Sequence, residues 1–395
     1  MVITKKILFF LWSLLVLSGC WSQNELNELA IVSAVAIDYM EDLDEYLVSF
    51  EILDPLEVAG GEQGGSGVTT TIYEARDATL FGAIRLASRT SPRRLYFPHM
   101  QLMVISEAIA RSGIDEVLDI FERNRDSRLT VPVVISQKGK AVEVLEILPS
   151  LERVPSNYLF HTLTVTDDLL ARNRVVTMLE IINALTSEGR EVALSGVTII
   201  GDKEKAKTLD NIQRAKSFAT TQVFGLGLFK NGKLQGWLKE ENARGASWVM
   251  DDVDSTVMTL PYEDQEDVIA VEIVRSETEL TFLKMKPEPT FKVSISTEGH
   301  IVEVDVPITL SETKEINKLE EQLEKLIKAE IETAIRAAQN VQSDIFGFGE
   351  ILNRSNPKEW KEIKDQWPEH FEKSKFIVEV NGFIRRTGMR MEPLH

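Results

Sequence analysis

The sequence predicts a multi-domain α+β protein with mixed or antiparallel sheets, packed helices and one long amphipathic helix near the C-terminus. Its 395 residues exceed what one ordinary hydrophobic core accommodates. Runs of β-branched and apolar residues alternate with segments of helical period, without an internal repeat. From about Thr313 to Ile345, Ile316, Leu319, Leu323, Ile327, Ile331, Ala334, Ala338 and Val341 recur at steps of three and four, the stripe of a long helix. Such a helix can pack on its own domain's sheet or zip to a partner.

The first element is an address. Lys5 and Lys6 precede an apolar run, Ile7 to Leu17, and the small residues Ser18 and Gly19 precede Cys20. As a helix that run would span roughly 16 Å, half a bilayer core, so it reads as a removable signal peptide over residues 1–19. Leu17, Ser18, Gly19 and Cys20 together resemble the bacterial lipobox, in which the signal peptidase cuts before a cysteine carrying covalent diacylglycerol. Cys20 is the 1 cysteine of the chain, which excludes an internal disulfide and any metal site built on several thiolates. No further cofactor is expected. Acidic residues outnumber basic ones 62 to 44, giving −18 and a pI near 4.9, so a broad basic face for nucleic acid is excluded. Removal of Lys5 and Lys6 leaves 42 basic against 62 acidic residues, 42 − 62 = −20, so acyl chains rather than net charge must hold the mature chain to a membrane.

The mature chain divides into an N-terminal α+β domain over 20–139, a middle α+β region over 140–205, a polar linker over 206–217 and a C-terminal α+β domain over 218–395. Ala30 to Ile37 and Tyr46 to Leu53 read as strands of a long hairpin around the acidic segment 38–45. Residues 57–67 hold five glycines in eleven positions and read as a flexible loop without the Lys-Ser/Thr pair of a phosphate cradle. Thr69 to Tyr73 reads as a strand, Ala75 to Ser88 as a helix, and Leu95 to Ile105 as another strand, in which Pro98 marks an edge strand or a bulge. Glu107 to Phe121 has helical spacing, and Val131 to Ile135 is a short apolar strand. In the middle region Pro149 and Pro155 flank an irregular segment, Val176 to Leu185 reads as a helix and Val192 to Ile200 as a buried strand.

Past the linker, Ser217 to Leu228 leads through the Asn231-Gly232 turn signal to Leu234 and Trp237, a hairpin. Strands follow at Val268 to Val274, Leu280 to Leu283, Phe291 to Ser296 and Ile301 to Val306. Ser311 or Thr313 can cap the long helix, Gly347 and Gly349 stop it, and Phe376 to Ile384 reads as a last strand.

Catalytic signatures are missing. No Gly-x-Ser-x-Gly elbow occurs, no two of the five histidines have zinc-helix spacing, and Gly225-x-Gly227 lacks the third glycine of a dinucleotide fold. The acidic clusters at 251–254 and 263–267 lack EF-hand spacing. The residues alone describe an exported, lipid-tethered, non-catalytic protein.

Both ends of the mature chain resemble the Ger(x)C family of spore-germination lipoproteins. The N-terminal match is Gly19-Cys20-Trp21, then Glu25-Leu26-Asn27-Glu28-Leu29-Ala30-Ile31-Val32 and Ile37-Asp38. The C-terminal match runs through Phe229-Lys230, Lys233-Leu234, Gly236-Trp237-Leu238 and Arg244-Gly245. It continues through Asp344-Ile345-Phe346-Gly347-Phe348-Gly349, Pro357-Lys358-Glu359-Trp360, Trp367 and Arg385-Arg386-Thr387-Gly388. Ser22 departs from the acidic residue expected after Cys-Trp. The resemblance implies a C subunit of a nutrient germinant receptor on the outer face of the inner membrane of a Gram-positive spore, working with A and B membrane subunits. Assembly and coupling is the expected role, and direct capture of the germinant is the alternative. Phe346, Phe348, Trp360 and Trp367 are candidate partner contacts, with internal packing as the other reading.

Overall fold

The computed structural model describes residues 28–59, 67–124 and 127–386. The signal segment, Leu17, Ser18, Gly19 and Cys20, the family-like residues before Glu28, most of the glycine-rich loop, and Thr387 and Gly388 lie outside the described residues. The α+β class holds: two mixed sheets carry helices packed on their faces.

The large sheet has the order β3-β2-β1-β5-β6-β7-β8-β9, with β4 alongside β1. Its strands are β1 (Leu29–Met40), β2 (Glu45–Leu53), β3 (Thr70–Asp77), β4 (Arg94–Tyr96), β5 (Leu102–Ser106), β6 (Val133–Ser136), β7 (Ala193–Gly201), β8 (Ala219–Lys230) and β9 (Lys233–Leu238). β1, β5, β6 and β7 run parallel at its centre, flanked by antiparallel strands. A parallel centre is buried on both faces, which explains its unbroken apolar runs. Val35, Ile37, Met103, Ile105, Val133 and Ile135 face the helices Leu80–Leu86, Glu107–Ser112, Asp115–Arg123 and Met178–Thr186. Ala34, Ala36, Leu102, Val104 and Val134 face the helices Ala141–Glu146 and Pro155–Leu170.

The second sheet is β10 (Thr256–Tyr262), β11 (Gln265–Lys284), β12 (Thr290–Val304) and β13 (Lys375–Arg386), in that order. The Thr313–Asn340 helix lies across it and buries Leu319, Leu323, Ile327, Ile331, Ala334, Ile335 and Ala338. The stripe therefore packs on its own sheet. Full burial of each large member contributes about 1.5–3 kcal/mol. β13 is an edge strand, and the same helix covers part of that edge: Glu324 accepts the Gly382 N–H at 3.0 Å and Glu320 the Ile384 N–H at 2.9 Å. These carboxylates occupy amides that would otherwise template another strand.

Several boundaries differ from expectation. The segment 206–217 joins neighbouring strands of one sheet, because β8 pairs with β7 from Ala219 opposite Gly201 to Leu228 opposite Ala193. The large sheet thus continues through the middle region and takes in the 219–238 hairpin. Asn231 (φ 48°) and Gly232 (φ 72°) form its turn, with the two positive φ angles a type I′ turn requires. β8 ties the cores together, since Leu226 and Leu228 join the second core while Phe229 joins the first.

Pro98 separates β4 from β5 rather than bulging one strand. Gly113, at φ 142°, divides the expected 107–121 helix in two. The Pro155–Leu170 and Glu241–Val249 helices stand where no helix is expected, and β11 and β12 are each continuous. The long helix ends at Asn340, is preceded by Glu312 without a side-chain cap, and Gly347 opens the next helix instead of stopping this one.

Candidate functional site

Four of the family-like segments of the C-terminal half, 229–230, 344–349, 357–360 and Trp367, meet where the large sheet meets the second unit. After the long helix the chain turns at Val341 to Phe346 and enters the Phe348–Ser355 helix. Asp344 makes that entry: Oδ1 accepts the N–H of Gly347 at 3.0 Å and of Phe348 at 3.1 Å, and Oδ2 accepts the N–H of Gly349 at 2.9 Å and Nε1–H of Trp367 at 3.0 Å. A carboxylate facing a helix N-terminus satisfies amides that have no partner within the helix. Burial still dominates its titration and raises the Asp344 carboxyl to about 6.

The four candidate contact residues all point inward. Phe346, Phe348, Trp360 and Trp367 are buried among Phe291, Phe371 and Phe376. The Trp360 and Trp367 rings meet edge to face at 5.5 Å. Of the two readings, partner contact and internal packing, these positions take the second: apolar residues clustered in sequence after a helix mark a core as readily as a surface.

Across the junction, Ser187 Oγ donates to Glu350 at 2.6 Å and the Glu191 N–H to the Asp344 carbonyl at 2.8 Å. Lys230 reaches Gln342 at 2.6 Å, Lys364 pairs with Glu188 at 2.7 Å, and Ser343 Oγ donates to the Phe229 carbonyl. Burial first, with Asp344 nearby, raises the Glu191 carboxyl to about 7. A cleft of about 210 Å³ opens at this seam, lined by Arg174, Glu180, Asn183, Arg190, Glu191 and Glu350. Arg174 is committed to Asp252 at 2.8 Å and Glu350 to Ser187.

The other family-like positions are structural too. Asp38 accepts the N–H of Ala141 at 2.7 Å and of Val142 at 3.2 Å, capping the Ala141–Glu146 helix from inside the sheet. Trp237 covers Gly196, where a Cβ would lie 2.5 Å from its ring, and donates to Glu107 at 3.3 Å. Arg244 is buried; its Nε reaches Glu330 at 3.0 Å and its Nη1 the Val257 carbonyl at 2.9 Å. Gly245 lets the Glu241–Val249 helix touch the long helix, since a Cβ there would lie 2.3 Å from the Glu330 carbonyl oxygen. Arg385 pairs with Glu298 at 2.7 Å. Sequence reading missed Glu51, Gly189 and Glu330, whose partners lie far along the chain. Asp251 and Asp252 of the acidic cluster bind Thr278 N–H and Arg174.

Two family models match. A spore germination protein N-terminal domain covers residues 22–199, and a spore germination B3/GerAC-like C-terminal domain covers 224–388. The chain is 32% identical over 390 residues to Spore germination protein KC of Bacillus subtilis (strain 168), covering 97% of this chain and 96% of that protein. Spore germination protein B3 of the same organism is 23% identical over 390 residues, 97% of each chain. Spore germination protein GerQC of Bacillus cereus is 22% identical over 404 residues, covering 98% of this chain and 99% of that one. The crystal structure of the GerBC protein shares the fold with a TM-score of 0.56 at 18% identity, covering 89% of this chain and 96% of that chain.

Proposed function

This chain belongs to the Ger(x)C family of spore germination proteins, and on that premise we propose that it is the non-catalytic C subunit of a nutrient germinant receptor. In this reading a diacylglycerol on Cys20 holds it to the outer face of the inner spore membrane, where it assembles with the A and B membrane subunits and couples their response. The observation that carries the reading is end-to-end similarity to Spore germination protein KC, running through both units and the seam between them. No helix among the described residues is long and apolar enough to cross a membrane; in this reading the acyl chains on Cys20 supply the attachment. Confinement to the membrane plane raises the effective concentration of the chain for its partners.

The test is a pull-down of the tagged chain from detergent-solubilised spore membranes, with Cys20→Ala alongside. Recovery of both membrane subunits with the lipidated form, and weakened germination of the Cys20→Ala spores, is expected. A lipidated, folded chain that recovers neither subunit overturns the assembly role.

The seam cleft favours one other reading, direct germinant capture, since Arg190 and the glutamates offer both charges to a small polar ligand. Calorimetry with common germinants decides it: micromolar binding lost in Arg190→Ala would support capture, and absence of heat would remove it.

A further inference from the structure

We propose that the cleft at the seam binds a small zwitterion, an α-amino acid with a compact apolar side chain, with Arg190 taking its carboxylate and Glu350 its ammonium. This ligand class rests on the direct-capture reading of the cleft above, which leaves the chemistry of the ligand open.

Arg190 differs from the other cations of the chain. Among the described residues the remaining arginines and lysines that are not exposed all have partners: Arg172, Arg174, Lys207, Arg244, Lys292 and Lys364 each meet a carboxylate, and Lys230 meets the Gln342 amide. Arg190 is half-buried and makes no hydrogen bond or ion pair among them. A guanidinium carries five donors, and withdrawing it from water without an acceptor costs free energy that a bound anion restores. Glu350 supplies the opposite charge. Its Oε1 accepts from Ser187 at 2.6 Å, while Oε2 has no partner among the described residues. A Cβ on Gly347 would lie 3.3 Å from Glu350 Oε2 and 3.5 Å from Arg190 Cδ, so the two side chains approach one point without pairing. An α-amino acid carries its ammonium and carboxylate on one carbon, and so sets both charges between them.

The rest of the lining selects size and class. The volume of about 210 Å³ is below the roughly 300 Å³ at which pockets for drug-sized ligands begin. Val176, Val192, Met250 and Ile345 offer apolar surface to a short side chain. Among the described residues no aromatic ring or hydroxyl lines the cleft, so a nucleoside base has nothing to stack on and a sugar few groups to bond. The other charges are engaged: Glu180 Oε2 takes the Thr177 N–H at 2.9 Å and its hydroxyl at 2.8 Å, the two Glu191 oxygens take the Asn231 N–H at 3.1 and 3.0 Å, and Arg174 holds Asp252. Those carboxylates repel a phosphate or a dicarboxylate, whereas a zwitterion brings no net charge. Arg190 also borders a hollow of about 370 Å³ beyond Gly189, but Glu350 lines the first cleft alone. Arg190 precedes β7 of the large sheet and Glu350 stands in the Phe348–Ser355 helix, so a ligand held by both bridges the seam.

The test is calorimetry on the full lipidated chain in detergent with L-alanine, L-valine, glucose and inosine. Heat from the amino acids and none from the sugar or the nucleoside is expected. Isovalerate and isobutylamine, each lacking one charge of valine, should bind about ten- to a hundredfold more weakly. Arg190→Gln and Glu350→Gln should each weaken valine binding by a similar factor. Because Arg190 gives up no bond in the folded chain, Arg190→Gln should unfold in urea with the parent. Valine should also slow hydrogen exchange at 187–191 and at 347–350 together. Amino-acid binding that survives both substitutions, that isovalerate matches, or that protects only one of the two stretches overturns the assignment to Arg190 and Glu350 and leaves capture standing. Heat from glucose or inosine alone overturns the zwitterion and also leaves capture standing. Silence from every probe removes capture and the zwitterion together.

Discussion

Gly189 and Gly349 meet backbone to backbone at the seam: a Cβ on Gly349 would lie 2.6 Å from the Gly189 Cα, and one on Gly189 would lie 2.6 Å from the Trp360 ring. Gly189 also sits at φ 94°, where other residues are strained. Gly349→Ala must push the Phe348–Ser355 helix away from the large sheet, loosening Asp344 and Trp367 with it. A loss of about 1–3 kcal/mol in urea unfolding is expected, with faster proteolysis around 187–191. Unchanged unfolding and proteolysis would show that the seam yields freely.

The Arg244 side chain makes the second prediction. Arg244 and Glu330 are 6% and 11% exposed, and Trp248 Nε1–H donates to the same carboxylate at 3.2 Å. Arg244→Ala leaves Glu330 without its countercharge and the Val257 carbonyl without its donor, a loss of about 3–5 kcal/mol. Arg244→Met with Glu330→Leu removes both charges, and recovery of most of the loss is expected in thermal unfolding. A double variant as unstable as Arg244→Ala would trace the cost to packing instead of charge.

Glu51 gives the chain a pH dependence. It lies in the large sheet, takes the Ser33 hydroxyl at 2.6 Å, and burial raises its carboxyl from 4.5 to about 7. Between those values the folded chain holds a proton that the unfolded chain has released. Its contribution to stability is therefore complete below 4.5 and lost as pH rises through 7, about 3 kcal/mol in all. Glu51→Gln carries a neutral side chain at every pH, so its advantage over the parent should grow from pH 5 to pH 8 in urea titrations. Parallel curves for the two proteins would contradict the burial argument.

What the sequence made legible follows from the range of the forces involved. The Leu319 to Ala338 stripe, the Asn231-Gly232 turn and the apolar strands at 30–37 and 192–200 are local patterns, and each forms the element expected. The Glu241–Val249 helix was hidden because its stability comes from Arg244 and Gly245 touching a helix about 85 residues later, with little apolar period of its own. The Pro155–Leu170 helix was hidden by threonines at 162, 164 and 166, whose hydroxyls bond back to the preceding turn. The role of 206–217 depended on which strand β8 would join, a pairing that no local pattern states. At the seam, residue types were visible but their direction was not: Phe346, Phe348, Trp360 and Trp367 read either as contacts or as internal packing, and the aromatic cluster, in which they face one another, decides for packing.

Asp344 carries the last prediction. Asp344→Ala leaves the Gly347, Phe348 and Gly349 amides and the Trp367 indole N–H without an acceptor in a buried place. Each unsatisfied donor costs about 1–3 kcal/mol, less in sum because the helix start can shift. We expect a loss of about 3–5 kcal/mol, faster hydrogen exchange at 347–349 and a changed near-ultraviolet signal from Trp360 and Trp367. Asp344→Asn keeps one acceptor oxygen and should lose less. Since burial lifts the parent carboxyl from 3.8 to about 6, the parent loses stability as pH rises through that window, and the asparagine variant should not. The gap between them therefore narrows from pH 4 to pH 7. A gap that widens would mean that the hydrogen bonds to the charged carboxylate outweigh its desolvation.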